Sequence, residues 1–83
     1  MTLPVQTLFF AAYRDAVGTS TLDVELHDGA TVSDLVAHLR DRGAPFDALP
    51  ESPAVAVNRV YADGAHPLRA GDEVAFIPPV AGG

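Results

Sequence analysis

The part of this sequence with the clearest chemical potential is its last six residues, which read Pro78-Pro79-Val80-Ala81-Gly82-Gly83. A stiff diproline precedes a short tail that carries no bulky side chain after its valine. Gly-Gly is the thinnest peptide that can be built, so such a tail can enter a narrow tunnel in another protein, although the conformational entropy that it loses opposes entry. From Pro79 to Gly83 the tail spans roughly 13 Å when extended.

The chemistry that this tail offers is that of one terminal carboxylate. The group is ionised at neutral pH, and a carboxylate is a poor electrophile. It becomes reactive when a partner enzyme converts it to a mixed anhydride, for which an acyl-adenylate made from ATP is the expected form. An unbranched Gly83 then leaves room for a thiol, a persulfide or an amine, and the residues do not choose among these nucleophiles. The pattern indicates an activated C-terminal acyl carrier, and the alternative is an unused, frayed end.

No second catalytic constellation emerges from the other residues. The sequence has no cysteine and therefore no thiolate nucleophile, disulfide or thiolate metal site. Because His27, His38 and His66 lie far apart, we expect neither a catalytic triad nor a bound metal. Asp72-Glu73 is a pair of acids that a turn followed by the exposed start of a strand explains. We expect no permanently bound cofactor, and ATP would be used by the activating partner.

Length and composition exclude further classes of protein. The 83 residues suffice for one domain, and the 48% that are hydrophobic provide a real core. Eleven acids against five arginines give a net charge of −6, which disfavours nucleic acid and anionic membranes as partners. The apolar stretch from Leu8 to Tyr13 is too short for a signal peptide or a membrane span. We expect a cytoplasmic protein with one domain over residues 1–79 and a flexible tail over residues 80–83.

The elements that must position this tail follow from the apolar patterning. Val5 to Phe10 and Ala54 to Asn58 have the composition of strands, and Thr21 to Leu26 alternates as a half-buried strand does. Val60 and Tyr61 extend the middle strand or begin another. Glu73 to Ile77 is the predicted last strand, because the two prolines after it cannot donate to a ladder.

Helical signals lie between these strands. Ala11 to Val17 predicts a short helical turn closed by Gly18. Thr31 opens the main helix, where it forms an approximate capping box with Asp34. The core-facing stripe of that helix is predicted to consist of Val32, Leu35, Val36 and Leu39. The order predicts an α+β fold in which a mixed sheet packs on one main helix, with the first and last strands paired in parallel at the sheet centre.

Nearly the whole chain resembles the MoaD/ThiS family of ubiquitin-like β-grasp proteins, and within it the sulfur-carrying subunits of molybdopterin synthase. The resemblance rests on motifs at the start, middle and end of the sequence: Leu8-Phe9-Phe10-Ala11 with Arg14 and Val17-Gly18, then Ala56-Val57-Asn58, then His66-Pro67-Leu68 with Gly71-Asp72-Glu73-Val74-Ala75-Phe76, and the C-terminal diproline, valine and Gly-Gly. The Gly-Gly ending alone is shared with ubiquitin-like modifiers, whereas the diproline and valine are more typical of the molybdopterin branch.

The resemblance implies a function for the tail. An activating enzyme would adenylate Gly83, which would then become a thiocarboxylate. The tail would insert into the large subunit of the synthase, where its sulfur would pass to cyclic pyranopterin monophosphate. The chain would be the small subunit of a heteromeric sulfurtransferase, with no catalytic machinery of its own. The absence of cysteine is consistent with this scheme, because the sulfur would be carried on the terminal carbonyl carbon.

The resemblance also implies a partner-binding surface near the sheet edge and the base of the tail. Phe10, Tyr61 and Ile77 fall at the matching positions, and the surface would continue along the tail through Pro78, Pro79, Val80 and Ala81, with Gly82 carrying the terminal residue. Core packing is the alternative for the three larger side chains, most of all for Phe10. The segment from Ala44 to Pro53 has no family signature and receives no role.

Three other functions remain open from the sequence. The chain could carry sulfur for thiazole or cysteine formation, against which the diproline argues moderately. It could be a ubiquitin-like modifier that forms isopeptide bonds with other proteins. It could also be a plain interaction domain whose tail is not used.

Overall fold

Residues 2–79 are described by the computed structural model, and they form five strands, two α-helices and one 3₁₀ turn. In chain order these are β1 (Thr2–Phe9), α1 (Ala11–Val17), β2 (Thr21–His27), α2 (Val32–Arg40), the 3₁₀ turn (Phe46–Ala48), β3 (Ala54–Val57), β4 (Val60–Ala62) and β5 (Glu73–Ile77). The predicted tail over residues 80–83 lies outside the described residues, so the predicted boundary after residue 79 stays a prediction.

The five strands form one mixed sheet in the order β2-β1-β5-β3-β4. Strands β1 and β5 run parallel, with Phe9 opposite Phe76, while the other three pairs are antiparallel. The predicted parallel pairing of the first and last strands is therefore confirmed, and β5 is the central strand. With α2 packed on one face, the architecture is the predicted α+β arrangement of a mixed sheet on one main helix.

The hydrophobic core lies between α2 and one face of the sheet. In β1 buried and exposed residues alternate, so that every second side chain enters the core. The Phe9 and Phe76 rings, on the two central strands, are fully buried with centroids 5.3 Å apart. A buried side chain of this size contributes about 2 kcal/mol to stability. The predicted stripe of α2 is confirmed, since its four members are all buried: Val32, Leu35, Val36 and Leu39.

The start of α2 has the predicted capping box. The Thr31 hydroxyl accepts a hydrogen bond from the Asp34 backbone N–H at 3.3 Å, and the Asp34 carboxylate accepts one from the Thr31 N–H at 2.9 Å. The bond from the Thr31 backbone lowers the pKa of Asp34. Two donors at the helix start are thereby satisfied by local side chains, which fixes where the helix begins.

Strand β1 differs from its prediction at both ends. It begins at Thr2 and includes Pro4. The proline nitrogen has no hydrogen to donate, so a strand that is hydrogen-bonded on both sides would not accept this residue. Pro4 is paired with Glu25 of β2, but its carbonyl accepts from the Gly71 N–H on the opposite side, so its nitrogen also faces away from β2. On that side β5 pairs only with Gln6 and the residues after it, and no ladder bond is lost at Pro4. At the other end, Phe10 belongs to the cap of α1 rather than to the strand. No helix in the described part of the chain is long and apolar enough to cross a membrane.

The connection between β4 and β5 is attached to the start of α2. The Val32 N–H donates to the His66 carbonyl at 3.0 Å, and the Ser33 N–H donates to the Gly64 carbonyl at 2.9 Å. These bonds satisfy further free donors of the helix terminus. A Cβ atom at Gly64 would overlap the Ser33 Oγ atom, so the close approach of Gly64 to Ser33 requires a residue without a side chain. The helix thus holds the connection that follows the edge strand β4.

We predict that Gly64→Ala destabilises the protein by about 1 kcal/mol, because Ser33 must leave its rotamer to admit the new methyl group. In a Ser33→Ala background the same substitution is expected to be neutral or slightly stabilising, since the φ angle of Gly64 lies outside the left-handed region. Chemical unfolding of the four proteins of this double-mutant cycle measures the difference. Equal effects of Gly64→Ala in the two backgrounds would contradict the predicted overlap.

A two-residue turn joins β3 to β4, and its first residue, Asn58, attaches it to the start of β5. The Asn58 backbone N–H donates to the Glu73 carbonyl at 2.8 Å, and its side-chain oxygen accepts from the Glu73 N–H at 3.0 Å. The side-chain amide also donates to an Asp72 carboxylate oxygen at 2.9 Å. Asn58 has a φ of 50°, a left-handed conformation that asparagine tolerates. The residue therefore fixes the turn both by its own conformation and by its bonds to β5.

Removing this side chain without changing the backbone preference tests that role. We predict that Asn58→Gly lowers the free energy of unfolding by about 1–2 kcal/mol, because two hydrogen bonds are lost while the left-handed φ remains easy to adopt. The substitution is expected to increase the rate of amide hydrogen exchange more in β4 than in β1. Unchanged exchange in β4 would mean that the side chain does not hold the turn.

Candidate functional site

Within residues 2–79, no helix covers the sheet face opposite α2, and small residues lie at the middle of this face. One row of directly paired residues crosses four strands from β1 to β4: Leu8, Ala75, Ala56 and Tyr61. The two alanines in the centre make the floor low, while the larger side chains at the two ends rise above it. This face therefore contains a shallow apolar groove.

We call this depression the open-face groove; it has a volume of about 440 Å³. Its lining consists of Leu8, Phe10, Ala56, Arg59, Tyr61, Glu73, Ala75 and Ile77. The three side chains predicted to form a partner-binding surface, which are far apart in the sequence, are thus brought together in one groove. Their contact with a partner remains a prediction.

The exposed fractions of Phe10, Tyr61 and Ile77 decide between a partner-binding surface and core packing. Tyr61 is 75% exposed and Phe10 is 49% exposed, and neither has the environment of a core residue. Ile77 is half-buried at the end of β5. Core packing therefore does not explain the aromatic ring at Phe10, for which that alternative had the most support. Apolar side chains that share one exposed depression are typical of an interaction surface.

The chain turns sharply after β1, and this turn presents Phe10 to solvent. Phe9 points into the core, so the next residue points to the opposite side of the extended chain. Ala11 follows with a φ of 46°, which lies in the left-handed region, and α1 begins there. The aromatic ring therefore stays at the edge of the open-face groove instead of following the helix into the core.

The base of the tail lies beside this groove. Strand β5 ends at Ile77, which is paired with Ala54, and Pro78 and Pro79 follow. A second depression, which we call the tail root, is lined by Tyr13, Pro50, Ser52, Pro53, Ala54, Tyr61, Ile77, Pro78 and Pro79. Tyr61 and Ile77 line both depressions, so the open-face groove and the tail root form one continuous surface. The remaining predicted site residues, Val80, Ala81, Gly82 and Gly83, lie outside the described residues.

The charged groups of the groove are Arg59 and Glu73. The Glu73 backbone is bonded to Asn58, which places its side chain next to the turn that carries Arg59. No carboxylate in residues 2–79 lies within ion-pair distance of the Arg59 guanidinium. The groove therefore has an apolar floor and a polar end at the turn between β3 and β4.

The three histidines are not brought together. His27 ends β2, His38 lies on α2, and His66 lies in the connection to β5. His27 approaches Asp34, with 3.8 Å between its Nε2 atom and a carboxylate oxygen, and both side chains are exposed. Across the described range, no group of three or more potential metal ligands forms a site. Asp72 accepts hydrogen bonds from Arg69 and Asn58, so it has the structural role expected of a turn residue.

Sequence reasoning did not identify the groove floor or its cation. Ala56 and Ala75 form the floor, and their small size at alternate positions of two strands is a signal only once the strands are known to be neighbours. Arg59 has no signal in the sequence, because a single arginine in a short turn carries no motif. Tyr13 at the tail root was also missed, since it lies on a short helix without a functional pattern.

Comparison with known proteins identifies the family of this chain. The sequence model of the ThiS family matches residues 7–83. The molybdopterin synthase sulfur carrier subunit of Escherichia coli K12 is 43% identical over 81 residues, covering 95% of this chain and 99% of that protein. The protein of the same name from Chlamydomonas reinhardtii is 34% identical over 83 residues, covering 98% and 100%.

A solved structure supplies a further comparison. The small archaeal modifier protein 1 of Haloferax volcanii superposes with a TM-score of 0.82 at 26% identity, covering 94% of this chain and 99% of that one. The fold is therefore shared by proteins that are named for different functions, and the sequence relationships are the more specific evidence. Because the family model and both sequence relatives match nearly the full length, the chain belongs to the ThiS family.

Proposed function

We propose that this chain is the sulfur carrier subunit of a molybdopterin synthase. The observation that carries the proposal is the continuity of the open-face groove with the tail root, which gives a partner one surface to bind beside Pro78 and Pro79, the residues that precede the Gly-Gly tail in the sequence. The near-full-length relatives named as sulfur carrier subunits support the same function. In this proposal the folded body binds the partner, and the tail carries the reacting group.

The proposed activation begins at the terminal carboxylate of Gly83. One carboxylate oxygen attacks the α-phosphorus of ATP, pyrophosphate leaves, and an acyl-adenylate forms on the activating enzyme. Hydrosulfide then displaces AMP and loses its proton, and the product is a thiocarboxylate at Gly83. A protein persulfide in its place would first form an acyl disulfide, whose S–S bond a thiol must then reduce to release the same thiocarboxylate. The reaction uses ATP, and we place it in the cytoplasm.

The proposed delivery takes place in the large subunit of the synthase. The tail enters that subunit, and the thiocarboxylate sulfur attacks a carbon of cyclic pyranopterin monophosphate and displaces an oxygen substituent. Water then hydrolyses the resulting thioester, which returns the Gly83 carboxylate and leaves the sulfur on the substrate. In the described part of this chain, the histidines are separated and the Asp72 carboxylate is hydrogen-bonded within a turn, so we assign the residues that bind and activate the substrate to the partner. The enzyme is then the heteromeric complex, and this chain is its acyl donor.

A second candidate function is that of a protein modifier. The structural likeness to the small archaeal modifier protein 1 favours it, and the same activated carboxyl group could acylate a lysine amine. The diproline and valine before the Gly-Gly ending support the sulfur carrier instead, as does the name of the sequence relatives. The two functions differ in the nucleophile that receives the acyl group, and mass spectrometry separates them.

The first test is the intact mass of the chain isolated from its native host. We predict a fraction of molecules in which one oxygen is replaced by sulfur, and this fraction should be absent from a variant that lacks Gly83. A variant with one additional C-terminal glycine controls for length and should lose sulfur transfer as well, because the reacting carbon is displaced by about 3.5 Å. A native chain found only as lysine-linked adducts would support the modifier function and contradict the sulfur carrier.

The second test concerns the open-face groove. We predict that Tyr61→Ala weakens binding to the large subunit by about tenfold or more, because a well-exposed aromatic side chain loses its contact area with the partner. Its stability should change by less than about 0.5 kcal/mol, since the ring is exposed in the free chain.

Val60→Ala is the matched control for this test. Val60 is the preceding residue of β4, it is 68% exposed, and it does not line the groove. Its truncation should leave the affinity within about twofold of the wild type. Equal losses from the two substitutions would indicate that the edge of β4, rather than the groove, contacts the large subunit.

A further inference from the structure

Arg59 has an unfavourable backbone conformation at the end of the open-face groove. It is the second residue of the two-residue turn between β3 and β4, and its φ is 72°. Turns of this type require positive φ at both central residues and strongly prefer glycine at the second. An arginine there is strained by about 1 kcal/mol or more, whereas glycine is not.

The surrounding structure holds this conformation in place. Asn58, the first residue of the turn, is bonded through its backbone and side chain to the start of β5. The path of the chain at Arg59 is thereby held by its neighbours, and within residues 2–79 no hydrogen bond or ion pair of the arginine side chain contributes to it. A residue that is strained and that the fold does not need is a candidate for a role outside the folded chain.

The position of the Arg59 side chain suggests what that role is. It lines the open-face groove together with the apolar residues that a partner would cover. Among residues 2–79, Arg40 donates to the Leu49 carbonyl and Arg42 lies over the Phe46 ring, whereas Arg59 has neither a hydrogen bond nor an ion pair. Its guanidinium is therefore available to an anionic group from outside.

We propose that Arg59 determines partner specificity by binding a carboxylate side chain of the protein that covers the open-face groove. This inference rests on the proposed function, since it names the chemistry that the large subunit must present. The chain has a net charge of −6, so an acidic side chain of a partner is repelled by most of its surface, including Glu73 in the same groove, and is attracted by the Arg59 guanidinium. The ion pair would fix the position of the partner along the groove, because the apolar floor alone accepts apolar side chains in several positions.

The test compares full-length variants in their binding to the large subunit from the same host, measured by titration calorimetry at low and high salt. Arg59→Asn removes the charge and tolerates the left-handed φ. We expect it to weaken binding by about tenfold at low salt, with a smaller difference at high salt, because an ion pair is screened. Arg59→Glu should weaken binding further. The melting temperature of Arg59→Asn should equal or exceed that of the wild type, which a merely structural arginine would not permit.

Arg42→Gln is the matched control, since it changes the net charge by the same amount at an exposed position after α2, away from the groove. It should bind within about twofold of the wild type. If wild type binds the large subunit and Arg59→Asn binds equally well, the inference is overturned while the proposed function stands. Equal losses of affinity in Arg59→Asn and Arg42→Gln would mean that net charge causes the effect, and this result would also overturn the inference. If wild type does not bind the large subunit at all, the proposed function itself fails.

Discussion

The parallel pairing of β1 with β5 is the constraint on which the rest of the structure depends. Because β5 is the central strand, its alternate side chains complete the core beneath α2, and Phe76 packs there against Phe9. The intervening residues, Ala75 and Ile77, face the other side and line the open-face groove. A single strand therefore links the most buried part of the molecule to the surface beside the tail, so a change in its register would exchange core and groove residues together.

The two faces of the sheet serve different purposes. The face under α2 is filled with large side chains, as stability requires of a chain of 83 residues. On the open face, two alanines meet at the centre and leave a depression between Phe10 and Tyr61. Filling that depression with larger side chains would bury more apolar surface within the chain, but it would remove the surface that a partner can contact. The sequence thus retains a low floor at the site where binding is proposed.

Much of the fold could be predicted from local patterns in the sequence. Alternation in β2, the capping box of Thr31 and Asp34, and the diproline after β5 each act within a few residues, and each is confirmed. The ends of β1 were less predictable, because β1 can include Pro4 only if β5 begins to pair with β1 after that residue. The exposure of Phe10 likewise depends on the turn that follows it, which composition does not reveal.

The candidate site was predictable to a smaller extent. The family resemblance predicted its larger apolar residues. The alanines of its floor are brought together by the strand order, and Arg59 is placed in the groove by the left-handed conformation of the turn between β3 and β4. Both properties belong to the assembled sheet and have no signature in the linear chain. The role assigned to the terminal glycines stays a prediction, because it rests on the chemistry of an unhindered carboxyl group and these residues lie outside the described range.

The overlap of the open-face groove with the tail root has a consequence for the order of events. Tyr61 and Ile77 belong to both depressions, so a protein that reaches the base of the tail also occupies part of the groove. An activating enzyme and a sulfur-receiving enzyme that both approach in this way exclude each other. Under the proposed function, the chain would be released into solution between loading and delivery, and the dissociation rate of each complex would contribute to the overall rate together with the chemistry.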